Sequence, residues 1–378
     1  MSITRISFPT TIHFGPGARK LVGVHLRELG LRRPLVVTDR GLALLPVLSE
    51  FLQHLHTGLD AGVYSGVHGN PTATQVTQGV AAFKAHRADC VIGFGGGAAL
   101  DVAKLVGAMA VHDGDVLEYA WDHPRVRPLT QPLPPFFALP TTSGTGSEVG
   151  RSSVVSEDDT HVKRVIFSPK LLAREVFADP ELTFGLPPAV TAATGMDALT
   201  HNIESYLSPA YHPLCDGIAL EGVRIAARAL PVAVRDGRNL AARADMMMAS
   251  MMGAIAFQKD LGAVHSCAHA LGAVADLHHG LANALMLEPV MRFNAEAVPA
   301  KFAELAHVAG LAAADDFVPW LARLKREIGI APSLATAGVR RDQFPRLVEL
   351  AVADVCHKTN PRPCSAADFG RFFEQAMA

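Results

Sequence analysis

The residues Cys90-Val-Ile-Gly-Phe-Gly-Gly-Gly97 are the clearest indication of how this chain folds. The first five form a short apolar run typical of a buried parallel strand. Three glycines follow, and apolar residues then recur at helical spacing between Ala98 and Val111. A strand, a tight turn and a helix in this order predict an open α/β sheet, whose ligands bind beyond the carboxyl ends of the strands.

Two further segments repeat this pattern. Pro34-Leu-Val-Val-Thr38 is typical of a buried strand and is followed by Asp39, while Phe136-Phe-Ala-Leu139 leads into a small, hydroxyl-rich segment at 141–147. The strand patterns end near Pro188. From there, apolar residues recur at spacings of three and four, as in 216–234, 240–257 and 315–328. We therefore predict a Rossmann-like α/β dinucleotide-binding domain over residues 1–185 and an all-α domain over residues 186–378.

The composition excludes several classes of protein. With 378 residues the chain exceeds a usual single core, and 49% hydrophobic against 19% charged residues excludes disorder. A net charge of −2 without a long basic run argues against nucleic acid as a partner. Five dispersed cysteines, a start without a signal-peptide core and no apolar stretch long enough for a bilayer predict a soluble, cytoplasmic protein without a membrane partner.

The glycines Gly95, Gly96 and Gly97 have the properties of a phosphate-binding loop. Glycine lets the backbone approach an anion, and the start of the following helix offers free amide groups and a positive dipole end. A tight turn that serves packing alone explains the same residues. The second loop, from Thr141 to Ser147, also follows a strand, and two such loops together favour a dinucleotide.

Asp39 predicts which dinucleotide binds. A carboxylate at the end of this strand accepts hydrogen bonds from the ribose hydroxyls and repels a 2′-phosphate, so we expect NAD rather than NADP. A turn-forming Asp ahead of Gly41 is an alternative explanation of the same residue.

Four residues of the helical half suit a metal ion. Asp197 and His201 stand four residues apart, so on a helix both side chains share one face at roughly 5–6 Å between Cβ atoms. His265 and His279 follow in a second segment. Three imidazoles and one carboxylate suit a borderline divalent ion such as Fe²⁺ or Zn²⁺. A single helical histidine is more commonly a core residue, but several costly polar groups in two compact clusters favour a metal site. No Glu follows His265 directly, which argues against a metalloprotease.

From near residue 5 to its end, the sequence resembles the iron-containing (group III) alcohol dehydrogenases. The resemblance rests on motifs such as Thr141-Thr-Ser-Gly-Thr-Gly-Ser-Glu148 and Gly195-Met-Asp197-Ala-Leu-Thr-His201, which stand in family order and at family-like spacing. All the matching segments are 70–72, 95–104, 141–148, 187–201, 262–269, 279–284 and 359–362.

The resemblance implies a dehydroquinate synthase-like fold and a role for individual residues. Asp197, His201, His265 and His279 hold the metal, with Fe²⁺ as the first choice and Zn²⁺ as the alternative, so residues 186–378 form a metal-binding domain. His269 lies beside the reacting carbon and relays the alcohol proton. The residues implied to line NAD are Asp39, Asn70, Gly95, Gly96, Gly97, Ala98, Asp101, Thr141, Thr142, Thr145, Ser147, Lys163 and Leu182.

The sequence departs from the family at three places. Ala98 replaces a common Ser near the pyrophosphate, where backbone amides can make the same contact. Phe257-Gln-Lys259-Asp260 replaces a small, neutral stretch, and Arg151 follows the Thr-rich loop near positions that face the pocket in relatives. Lys259 and Arg151 are therefore candidates for recognising an anionic substrate. Solvation, or pairing with Asp260 and Glu148, explains both equally well.

The sequence thus predicts an oxidoreductase that transfers hydride between NAD(H) and a small primary alcohol or aldehyde. We expect a homodimer or larger homo-oligomer, to which residues 3–12 add an edge strand. One alternative is a reductase of a carboxylated or sulfonated semialdehyde, or a maleylacetate reductase-like enzyme, although the latter lack the full ligand set. A nucleotide-sensing protein with a structural ion is a further alternative, but structural zinc sites normally use cysteines.

Overall fold

The computed structural model describes residues 8, 10–55, 58–160 and 162–378. Two compact units divide the chain. The first, which we call the sheet unit, comprises Phe8–Thr142 and Ser147–Thr183. The second, the helical unit, includes Ser143–Gly146 and Phe184–Ala378.

The sheet unit contains a six-stranded sheet in the order β1-β8-β5-β4-β2-β3, in which all paired neighbours are parallel. Two other strands, β6 and β7, form an antiparallel hairpin. The strands are β1 (Thr11–Phe14), β2 (Pro34–Asp39), β3 (Gly62–Val67), β4 (Cys90–Gly95), β5 (Phe136–Pro140), β6 (Ser152–Ser156), β7 (Lys163–Phe167) and β8 (Glu175–Ala178). The three strands predicted from apolar runs are confirmed as β2, β4 and β5.

Four α-helices connect these strands: α1 (Val22–Glu28), α2 (Pro46–Leu55), α3 (Ala73–His86) and α4 (Gly97–Met109). Strand β4 is completely buried, as its apolar run predicts. Gly95 then turns the chain at φ +156°, and a Cβ there would lie 2.7 Å from the Cβ of Ala99. Glycine at this position therefore allows α4 to begin directly after the strand.

β1 lies at the edge of the sheet and pairs with β8. Of the edge strand predicted over residues 3–12, residues 3–7 and 9 lie outside the described residues. Only its last residues coincide with β1.

The helical unit contains α-helices and short 3₁₀ turns, with no strand among its described residues. The predicted helices over 216–234, 240–257 and 315–328 are confirmed as α6, α7 and α11. The helices are α5 (Pro188–Leu207), α6 (Pro213–Arg235), α7 (Leu240–Ala256), α8 (Ala263–Ala275), α9 (His279–Ala295), α10 (Pro299–Val308), α11 (Phe317–Glu327), α12 (Phe344–Ala353) and α13 (Ala366–Ala376).

Helix α5 is the centre of this unit. Every residue of α5 from Thr191 to Leu207 is buried, and α6, α7 and α9 pack around the helix. A helix surrounded on all sides buries whatever polar residues it contains, and such groups require partners.

The segment Leu240–Lys259 is long and apolar enough to cross a membrane by composition alone. Residues of α7 such as Met246, Met247 and Met251 are buried in the helical unit, which is typical of a core helix.

Candidate active site

Four side chains from three helices converge in the helical unit. Asp197 and His201 lie on α5, His265 lies on α8, and His279 is the first residue of α9. The Nε2 atoms of His201, His265 and His279 lie 3.7, 3.9 and 3.5 Å from Oδ1 of Asp197. All four donor atoms lie within 4.8 Å of one another. The two sequence segments singled out above therefore meet at one point.

The chemistry of this cluster suits a divalent metal. Asp197, His201 and His265 are buried, while the side chain of His279 is 27% exposed. Burial, followed by the charge of His201, lowers the pKa of His265 well below its ordinary value. A neutral imidazole keeps a lone pair on one nitrogen, which is the form that binds a metal. The residues present thus fit the ion that the motifs imply.

Glu204 orients His265. Its Oε2 lies 2.6 Å from Nδ1 of His265, and its Oε1 accepts a hydrogen bond from the backbone N–H of Val264 at 2.7 Å. Burial raises the pKa of Glu204 to about 7, although hydrogen bonds from Val264 and its neighbours oppose the shift. A carboxylate that accepts from Nδ1 leaves the Nε2 lone pair for the cluster.

Asn283 contacts three of the four candidate ligands. It lies one helical turn after His279, and its Nδ2 donates to Oδ1 of Asp197 at 2.7 Å. The same nitrogen lies 3.3 and 3.2 Å from Nε2 of His265 and His279. Asn283 therefore holds the carboxylate of Asp197 in position. Gly280 lets the start of α9 approach α5 closely. A Cβ at this position would lie only 2.2 Å from the carbonyl oxygen of Ala193.

His269 lies beside the cluster but is not one of its four residues. Its ring stacks on that of His279, with centroids 5.5 Å apart, and its Nδ1 lies 2.8 Å from Oδ2 of Asp354. Burial alone would raise the pKa of Asp354. The charge of His269 and its hydrogen bond outweigh this effect, together with hydrogen bonds from Cys356 N–H and Ser266, and the pKa of Asp354 is lowered. A partly exposed imidazole held by a carboxylate can accept and release protons.

The candidate substrate residues have different surroundings. The ring of Phe257 meets that of His201 edge to face at 5.3 Å, so it forms an apolar wall beside the cluster. The ammonium of Lys259 is buried and bonds to Asp216 and to the carbonyl oxygen of Tyr206. This geometry favours the alternative explanation of Lys259, an ion pair, over recognition of an anionic substrate, because its charge already has a partner. Asp216, rather than Asp260, is its partner.

Arg151, the other candidate for anion recognition, belongs to the sheet unit. Its guanidinium carbon lies 5.4 Å from the centroid of the Phe167 ring, at the end of β7. This distance is in the range of a cation–π contact.

A cavity of about 310 Å³ opens at the carboxyl ends of β2 and β4 in the sheet unit. The strand order reverses between these two strands, and ligands of open α/β sheets bind at such a point. Oδ1 of Asp39 accepts a hydrogen bond from the backbone N–H of Leu42 at 2.8 Å, which fixes the carboxylate. The cavity is lined by Asp39, Arg40, Gly41, Val67, His68, Gly69, Gly96, Ala98 and Ala99.

Two of the predicted cofactor residues bond to each other. Ser147 donates to Oδ1 of Asp101 at 2.6 Å, and Oδ2 of Asp101 accepts from the backbone N–H of Val154 at 2.9 Å. The buried ammonium of Lys104 donates to Ser147 and to the carbonyl oxygens of Gly150 and Ser152. These bonds fix the segment after the Thr-rich loop, and neither Asp101 nor Ser147 lines the cavity.

The remaining predicted cofactor residues lie at scattered places. Asn70 is exposed beyond the end of β3, and Lys163 begins β7. Leu182 is buried in the core of the sheet unit, and Thr142 lies against Gly96, whose Cβ position is 3.2 Å from the Thr142 methyl group. Thr141 is buried, whereas Thr145 belongs to the segment Ser143–Gly146 of the helical unit.

Three residues that position others were assigned no role from the sequence. Glu204 had a signal, because Asp197, His201 and Glu204 follow at spacings of four and three on one helix face. Asn283 stands within a recognised motif. Asp354 lies 85 residues from His269, and no local pattern connects the two.

Comparison with known proteins identifies the family. Residues 9–180 match the family described as iron-containing alcohol dehydrogenase, and residues 191–377 match the C-terminal part of the Fe-containing alcohol dehydrogenase family. A 4-hydroxybutyrate dehydrogenase of Cupriavidus necator is 39% identical and covers 98% of this chain and 99% of its own. A 1,3-propanediol dehydrogenase of Klebsiella pneumoniae is also 39% identical, and the match covers 98% of this chain and 97% of the relative.

A solved structure of a 1,3-propanediol oxidoreductase has a TM-score of 0.95 against this chain, at 39% identity and with 100% of both chains covered. These matches define the protein as an oxidoreductase of the dehydrogenase class. The chain belongs to the iron-containing alcohol dehydrogenase family, as its motifs predicted. The predicted fold class, a parallel-sheet domain followed by a helical domain, is also confirmed.

Proposed function

We propose that this enzyme transfers hydride between NAD(H) and small primary alcohols or aldehydes. One divalent metal would be held by Asp197, His201, His265 and His279, with Fe²⁺ as the first choice and Zn²⁺ as the alternative. The observation that carries the proposal is the convergence of these four donor atoms within 4.8 Å, beside His269. The names of the relatives support the substrate class, because 4-hydroxybutyrate and 1,3-propanediol both carry a primary alcohol on a short chain, which in 4-hydroxybutyrate also ends in a carboxylate.

The side chains around the cluster have separate tasks. A divalent metal, when bound, acts as a Lewis acid on the substrate oxygen. Glu204 keeps the Nδ1 proton of His265 in place, and Asn283 orients the carboxylate of Asp197. Phe257 supplies an apolar wall that excludes water beside His201. His269 exchanges the alcohol proton with solvent, and Asp354 holds its ring in place through Nδ1.

The sheet unit is proposed to bind NAD at the ends of β2 and β4. Backbone amide groups at the start of α4 would bind the pyrophosphate. Because residue 98 is Ala, they would do so without help from a side-chain hydroxyl at that position. Asp39 lines the cavity, where its carboxylate would accept hydrogen bonds from the ribose hydroxyls and would repel the 2′-phosphate of NADP. This preference is supported by a relative named as an NAD-dependent methanol dehydrogenase, 33% identical over 99% of this chain.

The test is a panel of oxidations of NADH and NADPH by aldehydes. The full chain is reconstituted anaerobically with Fe²⁺, Zn²⁺ or no metal, and is assayed with three- and four-carbon aldehydes that end in methyl, hydroxyl or carboxylate. We expect NADH turnover with the neutral aldehydes only in metal-loaded enzyme. Turnover without metal, or with carboxylated aldehydes alone, would refute the proposal.

We also propose a cytoplasmic location and a homodimer or larger homo-oligomer. All five cysteines are free thiols, which is typical of a reducing compartment. Among the described residues β1 stands at the edge of the sheet, and this position supports self-association, because an edge strand offers backbone groups for pairing with a second chain. Light scattering on protein eluted from a size-exclusion column measures the mass directly. A mass of 40.1 kDa, that of a single chain, would contradict the oligomer.

A further inference from the structure

A second group of metal-binding residue types lies in the sheet unit. His13 belongs to β1, His25 to α1 and Glu175 to β8. Oε2 of Glu175 lies 2.8 Å from Nε2 of His13 and 2.9 Å from Nδ1 of His25. One carboxylate oxygen is therefore shared by two imidazoles, and the three donor atoms lie within 4.8 Å of one another.

The positions of these side chains are set by the fold. Strand β1 pairs with β8 so that His13 lies opposite Phe177, and Glu175 lies two residues earlier on the same face. The buried ring of Phe177 stacks flat against His13, with centroids 4.7 Å apart, and meets His25 edge to face at 5.4 Å. Packing against one aromatic ring therefore orients both imidazoles before any ion binds.

The chemistry of this group is that of an open metal site. Two imidazoles and one carboxylate leave one position of a tetrahedral ion to water, and such donors suit borderline divalent ions. With bonds of 2.0–2.2 Å, donor atoms of a tetrahedral site lie roughly 3.4 Å apart. Binding would therefore widen the present contacts by about 0.5 Å. Side-chain exposures of 22%, 28% and 15% for His13, His25 and Glu175 give an ion access.

We propose that His13, His25 and Glu175 form a second divalent-cation site, with Zn²⁺ as its ion. It is separate in sequence from the four candidate ligands of the helical unit and does not share residues with the cavity beside Asp39. The ion would connect β1, α1 and β8. The proposal does not depend on the proposed function.

Counting bound zinc tests the proposal. The full chain is dialysed to equilibrium against Zn²⁺ at low micromolar concentration, and the metal per chain is measured by mass spectrometry. We expect His25→Ala to lose one equivalent relative to the unmodified chain, while His307→Ala, which changes an exposed histidine of α10, loses none. Equal zinc contents for the unmodified chain and His25→Ala would overturn the proposal, since the three residues would then be only hydrogen-bonded to one another.

A second variant and a direct observation guard against misfolding. Glu175→Gln keeps the size of the side chain and should lose the same equivalent, with an unchanged circular dichroism spectrum. Anomalous diffraction at the zinc edge should show a peak between His13, His25 and Glu175 in the unmodified chain, and its absence in zinc-soaked crystals overturns the site. His25→Ala should retain NADH oxidation after Fe²⁺ loading. Inactivity of the unmodified enzyme would count against the proposed function alone, because the zinc count does not involve turnover.

Discussion

Nδ1 of His265 lies 2.6 Å from Oε2 of Glu204, and each side chain is only 1% exposed. A carboxylate would be costly at this depth without partners, and Glu204 has the imidazole and the Val264 amide. The pair explains how one histidine of the cluster keeps its tautomer and its direction. It also makes Glu204 a positioning residue, since it acts on the cluster through His265.

Glu204→Gln should weaken metal binding by about 10–100-fold, because the substituted amide orients His265 less strongly and adds no negative charge. Competition with a chelator of known affinity measures the change. The matched control is Glu221→Gln, which alters an exposed carboxylate of α6 that pairs with Arg224. Equal metal affinity for Glu204→Gln and the unmodified chain would contradict the positioning role.

His269→Ala should retain the metal and reduce kcat by about 10²–10⁴-fold, the usual contribution of a proton-transfer group. Asp354→Asn should reduce kcat in the same direction but less, because it removes the charge beside the ring and leaves the imidazole. Metal content and kcat are measured on the same samples. A loss of metal in His269→Ala would instead assign this histidine to the ligands.

Lys259→Met should lower the free energy of unfolding by about 2–4 kcal/mol, because it removes the buried partner of Asp216. The ratio of kcat/KM values for neutral and carboxylated aldehydes should not change. Lys20→Met, at an exposed position, is the control for loss of a lysine and should change stability by about 0.5 kcal/mol or less. A selective rise in KM for the carboxylated aldehyde would restore Lys259 as a substrate residue.

Glu148→Gln should remove part of the pH dependence of stability. Burial raises the pKa of Glu148 to about 7 from an ordinary 4.5, against the opposing effects of its own backbone amide and Lys104. The folded chain therefore binds this proton more tightly than the unfolded chain. Its contribution to stability is fully present below pH 4.5 and is lost as the pH rises to 7, by about 3 kcal/mol.

Urea denaturation at pH 5 and pH 8 checks this prediction. The unmodified chain should lose stability between the two pH values, and Glu148→Gln should lose about 2.5 kcal/mol less, because part of the effect is already lost at pH 5. If the free energy of unfolding changed equally with pH in the two proteins, Glu148 would ionise normally in the folded chain.

The spacing of apolar residues along the chain predicted the buried strands and the long helices. Strands β2, β4 and β5 are runs of buried apolar residues, and the long helices repeat apolar residues at helical spacing. Strand β3 was missed because it lies at the sheet edge and mixes Tyr64, Ser65 and two glycines with its valines. The partly exposed hairpin of β6 and β7 was missed because its apolar runs are only two or three residues long and are flanked by serines in β6 and by Lys163 and Arg164 in β7.

The candidate site was predictable to a similar extent. Helical spacing placed Asp197 and His201 on one face, and a second histidine-containing segment offered His265 and His279. The resemblance then implied that the four residues act together as ligands. The partner of Lys259 could not be predicted, because Asp216 lies 43 residues away and the two meet only through packing of helices. The same holds for His269 and Asp354, which are distant in sequence and adjacent in the fold.

Anomalous diffraction at the iron edge, on crystals of the enzyme reconstituted anaerobically with Fe²⁺, tests the central claim most directly. We expect one strong peak bonded to Nε2 of His201, His265 and His279 and to a carboxylate oxygen of Asp197, at about 2.0–2.2 Å. An enzyme that oxidises NADH in solution, but whose crystals contain no iron among these four residues, would contradict the claim.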